Sequence, residues 1–161
     1  MPIHSIQGTG AESVFTGQSV KVKGIVTGDF RGQDALSGFF IQQKHADDKT
    51  ETSEGLFIQS NDNKHGLTVG DVVVVDGVVS ERFEVTQLES IAGIKVCERG
   101  VELPPISLLN LPFDGFDLEQ VEGMRVGFKS PVVITDIYQY LRYGELTVSS
   151  ELLLSPTAKY H

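Results

Sequence analysis

The chain has 161 residues, 40% of them hydrophobic, a net charge of −9 and one cysteine. No apolar run approaches the roughly 18 residues a membrane helix needs, and a lone Cys97 excludes a disulfide within the chain. Acidity of this size argues against a domain that grips duplex DNA by neutralising phosphates, which should be basic.

Residues 1–13 read as a leader, with Gly8 and Gly10 as turn residues and little periodicity. They carry neither a basic n-region nor an apolar h-region, so no signal peptide is expected. The first strand is expected over residues 18–28, within GQSVKVKGIV at 17–26. That segment is echoed by GDVVVVDGVV at 70–79, which opens a fourth strand expected over 72–83. Valine at every second position is the period of a strand with one buried face. Gly24 and Gly77 fall inside these strands and mark bends, as at a barrel corner. Between them stand two shorter echoes, GFFIQ at 38–42 and GLFIQ at 55–59, read as strands over 38–43 and 55–60. The polar loop 43–54 suits an open hairpin. Residues 61–71 are turn-rich and show no helical period, so no helix is expected there, nor anywhere in the first hundred residues. A fifth strand follows in pieces from Thr86 to Val96, and Cys97 reads as a small core residue at its end.

Pro104, Pro105 and Pro112 mark residues 99–116 as a linker with an extended spacer. A short helical turn is expected from Asp117 to Val121, capped by Asp117 and stopped by Gly123. The strand pattern then returns over 122–140, with a bulge at Pro131, and continues as a hairpin-like pair around Tyr143 and Gly144. The fold class this implies is all-β. A five-stranded OB-like Greek-key barrel occupies residues 14–98, and a β-rich appendage over 117–161 resembles the first strands of a second such unit. An incomplete second unit leaves unpaired strand edges, which makes a homodimer through the C-terminal strands an expectation.

Catalytic constellations are missing from the sequence. GxSxG, HExxH and P-loop motifs do not occur, and His4, His45, His65 and His161 fit no zinc spacing. Asp47, Asp48, Glu51 and Glu54 crowd one loop. Such carboxylates can hold Ca²⁺, but the EF-hand spacing is absent and a solvated acidic loop is the expectation. The informative residues are aromatic. If Leu56 and Ile58 face the core, Phe40, Gln42, Phe57 and Gln59 line the outer face of strands two and three, where OB barrels bind single strands. Arg31, Lys44 and Arg82 in the adjoining loops would contact phosphate. The other reading is that Phe40 and Phe57 pack beneath the 43–54 loop or against a neighbouring domain.

The segments IHSIQGTG, GQSVKVKGIVTGDF, LSGFFIQQ, DDKTETSEGLFIQ, GDVVVVDGVVSERFEVTQL, LEQVEGMRV and RYGELTVSS together resemble the OB-like region of large secreted bacterial nucleases. That region stands before an endonuclease/exonuclease/phosphatase domain, and the resemblance runs from about Ile3 to Ser155. It implies a non-catalytic module that handles or positions DNA, as single strands, for a separate metal-dependent nuclease domain. The divalent metal is then expected only in that downstream domain, with no cofactor, enzymatic activity or membrane contact in this chain. Secretion and contact with neighbouring domains are implied as well. The alternative is a protein-interaction or structural spacer module with no nucleic-acid binding of its own.

Overall fold

The computed structural model describes residues 1–32, 36–47, 49–61, 66–140 and 146–152. Asp48, His65, the turn around Tyr143 and Gly144, and the tail from 153 to His161 lie outside them. The chain divides into two units, Met1–Ser107 with Asp117–Arg125, and Leu108–Phe116 with the residues from Val126 onward.

In the first unit five strands close a barrel. These are β1 (Ser19–Phe30), β2 (Gly38–Gln42), β3 (Gly55–Gln59), β4 (Val72–Arg82) and β5 (Val85–Glu98). Around the ring they run β1-β2-β3-β5-β4, and β4 returns to β1. All pairings are antiparallel except β3 with β5. This order is that of the OB barrel. The alternating residues Val20, Val22, Val73, Val75 and Val79 point inward with Phe39, Ile41, Leu56, Ile58 and Leu88, and these form one buried cluster.

The two glycine bends act differently. Gly24 precedes Ile25, the residue of β1 that pairs with both Val72 of β4 and Gln42 of β2. A side chain at Gly24 would lie 3.0 Å from the Cβ of Ile41, so it would crowd the crossing. The slip in the β1–β2 register falls slightly later, between Val26 and Gly28. At Gly77 the β4–β5 register itself slips, between Asp76 and Val78. The fifth strand is continuous rather than in pieces; residues 90–92 bulge opposite Gly77, with Ser90 at φ +50°.

Three sequence expectations for this unit need correction. The leader contains a helix, α1 (Ile3–Gln7), whose Ile3 and Ile6 are fully buried in the barrel core. Five residues are too few to display a helical period, and the i, i+3 spacing of the two isoleucines was its one trace. Cys97 is exposed, because Val96 takes the inward position beside it and neighbours on a strand face opposite sides. Residues 99–106 are not a free spacer. Val101 N donates to Gly70 O at 2.9 Å, and the buried Pro104 accepts from Arg125 Nη1 at 2.7 Å.

The turn at 117–121 forms as expected, as a 3-10 helix over Leu118–Val121, with the Asp117 carboxylate accepting from Glu119 N. It belongs to the barrel's unit and not to the residues that follow. Gly123, at φ +66°, lies so close to Gly55 that a Cβ on Gly55 would overlap its carbonyl carbon.

The second unit, taken by itself, holds two small sheets, apart from their first residue, Ser107, which is counted with the barrel's unit. One pairs β6 (Ser107–Leu109) with β7 (Val126–Phe128), and the other pairs β8 (Val133–Asp136) with β9 (Thr147–Ser149) in antiparallel register. Ile134, Ile137, Tyr138 and Tyr140 are exposed there. Among the described residues no helix is long and apolar enough to cross a membrane.

Candidate nucleic-acid interface

Strand alternation builds this face. Phe39 and Ile41 of β2, and Leu56 and Ile58 of β3, are fully buried inside the barrel. Their neighbours Phe40 and Phe57 therefore point outward, and they are direct cross-strand partners. The two rings lie 4.9 Å apart at 53°. Phe30, from the end of β1, meets Phe40 edge-on at 5.9 Å and 84°. The result is a row of three rings across β1, β2 and β3. Gly38 leaves room for the row, since a Cβ there would collide with the Phe57 ring.

Beyond Phe57 the row opens into a groove of about 290 Å³, walled by Phe40, Phe57 and Gln59 on one side and by Arg82, Phe83 and Val85 on the other. Phe83 forms the tip of the β4–β5 hairpin and is 98% exposed. Arg82 pairs with Val85, so Phe83 and Glu84 are a two-residue loop. Their φ angles are +54° and +62°. Two successive left-handed residues make the turn that joins twisted strands best, but the position favours Asn-Gly. A β-substituted residue held there costs about 1–2 kcal/mol. Neither burial nor turn preference accounts for a phenylalanine at this tip.

The sequence-predicted site residues part company here. Phe40, Phe57, Gln59 and Arg82 come together at the groove. Phe57 is only 8% exposed, so it serves as floor more than as platform. Arg82 is exposed and ion-paired with Glu89 at 3.2 Å. Gln42 is buried, and its Oε1 accepts from Arg125 N at 3.0 Å. It anchors residues 122–125 over one end of the face instead of meeting a ligand. Lys44 is exposed but lines a separate hollow with Lys23 and His45, beyond the end of β2. Arg31 is committed to Asp29, with a side chain only 6% exposed. The Arg31 hydrogen bond also holds the Asp29 carboxyl below the usual range.

Sequence reasoning missed Phe30, Phe83 and Arg125. Phe30 was a loop residue until β1 proved to be longer. Phe83 left a signal, a bulky aromatic at a hairpin turn. Arg125 left none, because its place beside Phe30 and Phe40, in a hollow shared with Met124, depends on the docking of 122–125. The cover over the face is therefore partly supplied by this chain's own residues, not by the 43–54 loop.

Two carboxylate groupings flank the barrel. Glu122 Oε1 accepts from Gln7 Nε2 at 3.1 Å and from Thr86 N at 3.0 Å. Burial pushes its carboxyl up to about 7, with Glu119 and Glu81 adding like charge against the two hydrogen bonds. Glu81 Oε1 accepts from Ser13 N and Thr86 Oγ1, both at 2.8 Å. Close by, the fold gathers His4, Asp47 and Glu54, whose ligating atoms all lie within 4.8 Å of one another. No spacing in the sequence announces that group. Glu54 is buried, so the expectation of a wholly solvated acidic loop does not hold for it.

No family model matches this sequence, and no curated protein matches it. Among solved structures the chain is similar to the hypothetical protein YgiW of E. coli. The two are 19% identical, and the match covers 54% of this chain and 83% of that one at a TM-score of 0.34.

Proposed function

We propose that this chain is a non-catalytic OB-fold module that holds single-stranded nucleic acid for a catalytic domain elsewhere in its parent protein. In this reading bases stack on Phe83 and along Phe40 and Phe30, and Arg82 and Arg125 meet the backbone. The observation that carries it is Phe83, almost wholly exposed and in an unfavourable turn conformation beside a groove on the face OB barrels use for ligands. Backbone strain at an exposed residue is a mark of function more than of packing. The motif resemblance supports the finer reading, that the parent is a secreted metal-dependent nuclease and the ligand DNA.

Fluorescence anisotropy with a labelled oligonucleotide tests the proposal. Single strands should bind more tightly than duplex, because only unpaired bases can stack on the rings. Affinity should be modest and its salt dependence shallow, about −0.7 in the logarithmic slope per phosphate neutralised, since few cations face the groove.

A second reading rests on the engagement of Arg31 and Arg82 by carboxylates and on the −9 charge. It makes the same apolar groove a docking surface for a neighbouring protein domain. Absence of oligonucleotide binding at low salt with protein near millimolar would favour it.

A further inference from the structure

We infer that His4, Asp47 and Glu54 form a binding site for one divalent transition-metal ion of the zinc class. The three come from separate parts of the chain: His4 from α1, Asp47 from the middle of the β2–β3 loop and Glu54 from its last position. His4 Nδ1 stands 3.7 Å from Asp47 Oδ2 and 3.6 Å from Glu54 Oε1. Both separations exceed the about 2.7–3.2 Å of an N–H···O hydrogen bond. They are close to the about 3.4 Å that separates two ligands of a tetrahedral zinc ion with bonds of about 2.0–2.1 Å. The imidazole thus faces two carboxylates across a gap of one ion's width.

An independent observation points the same way. Glu54 is 3% exposed; its Oε1 faces the imidazole and accepts from Asp47 N, and the other oxygen of the same carboxylate, Oε2, is buried without a hydrogen-bond partner. His4 Nδ1, aimed at both carboxylates, is likewise buried and unpartnered. Native proteins seldom leave such atoms unsatisfied, and a bound ion is a standard reason when they do. A doubly charged cation would supply the missing partner to the nitrogen and balance two carboxylates at once.

The donor set selects the metal. Calcium and magnesium take oxygen ligands, whereas an imidazole nitrogen with two carboxylates suits zinc and its neighbours in the first transition row. Asp47 Oδ1 accepts from Lys49 N at 3.0 Å, and Asp47 N donates to Glu54 Oε1 at 2.9 Å. These bonds orient the ligands, as outer-shell partners of metal sites do. Ile3 N donates to Gln43 Oε1 at 3.0 Å and ties α1 to the end of β2 beside the site. The ion's role follows from this placement: it fastens α1, the helix that fills the barrel core with Ile3 and Ile6, to the β2–β3 loop.

The test uses the untagged full chain, stripped with a chelator and dialysed. Zinc should bind at about one equivalent per chain by elemental analysis and raise the melting temperature. Cobalt(II) should give the intense visible absorption of a tetrahedral site, and calcium should produce neither effect. His4→Ala and Asp47→Asn should each weaken zinc binding by about tenfold or more, while His45→Ala, at an exposed histidine nearby, should not. Asp47 lies in a loop, so its variant stays informative if His4→Ala folds poorly. Failure to bind zinc, an octahedral cobalt spectrum, or binding that survives both variants would overturn the inference.

Discussion

Arg31 holds Asp29 through two hydrogen bonds of 2.7 Å, Nε to Oδ1 and Nη2 to Oδ2. The same Nη2 donates to Leu67 O at 3.0 Å, and the guanidinium carbon lies 5.9 Å from the Phe39 ring centroid. An arginine bound this way clamps the rim of the barrel. Arg31→Ala should therefore lower stability by about 1.5–3 kcal/mol, the worth of a hydrogen bond to a charged group, and leave oligonucleotide affinity unchanged. Urea titration and anisotropy read the two effects. The reverse pattern would restore Arg31 as a phosphate contact. Asp29 has a lowered folded pKa, so the clamp's contribution is present above the ordinary carboxylate range and is lost as pH falls through the lowered value.

The hairpin tip separates stability from binding. Replacing Phe83 with Asn and Glu84 with Gly installs the preferred turn pair. The double variant should be more stable by about 1–2 kcal/mol and should lose about 1–3 kcal/mol of single-strand affinity, the value of one stacked base. Opposite signs in the two measurements are the diagnostic result. A gain in stability with unchanged affinity would remove Phe83 from the interface.

The N-terminal helix belongs to the core. Ile6→Ala should cost about 2–5 kcal/mol, as for other fully buried aliphatic truncations. Val14→Ala, at an exposed position a few residues on, should stay within about 0.5 kcal/mol. Equal effects in chemical denaturation would mean that α1 rests on the barrel without filling it.

Glu122 gives the barrel a pH signature. Its folded carboxyl titrates near about 7, against 4.5 for the ordinary group. The folded state therefore holds a proton that the unfolded chain releases. Its contribution is fully present below about 4.5 and is lost as pH rises through about 7. Glu122→Gln keeps an oxygen for Gln7 Nε2 and Thr86 N. It should flatten this decline and leave the variant the more stable protein at pH 8, measured by melting temperature across the range.

What could be read in advance was whatever repeats locally. The valines of β1 and β4, and the twin GFFIQ and GLFIQ strands, carry their own period, so barrel, strand phase and outward Phe40 and Phe57 were legible. What was hidden depends on contacts between distant residues. Gly123 meets Gly55, Glu122 reaches Gln7, and His4 faces Glu54. No local pattern records such meetings. Cation roles were the least legible, because a guanidinium's availability depends on which carboxylate its side chain reaches, and no local pattern marks that Asp29, only two residues away, takes Arg31.

The parallel join of β3 to β5 consists of two residue pairs, Phe57 with Gln87 and Ile58 with Leu88, against a ladder running the length of β4 and β5. The ring should breathe at this short clasp, with those amides among residues 57–58 and 87–88 that bond across it exchanging hydrogen sooner than those of the long ladder. The clasp lies under the groove between Phe57 and Phe83. Anything lodged there spans both sides of the opening and must leave before the ring can part. Occupancy is then written into the exchange rate of the backbone amides that close the clasp, a record that does not depend on knowing the occupant.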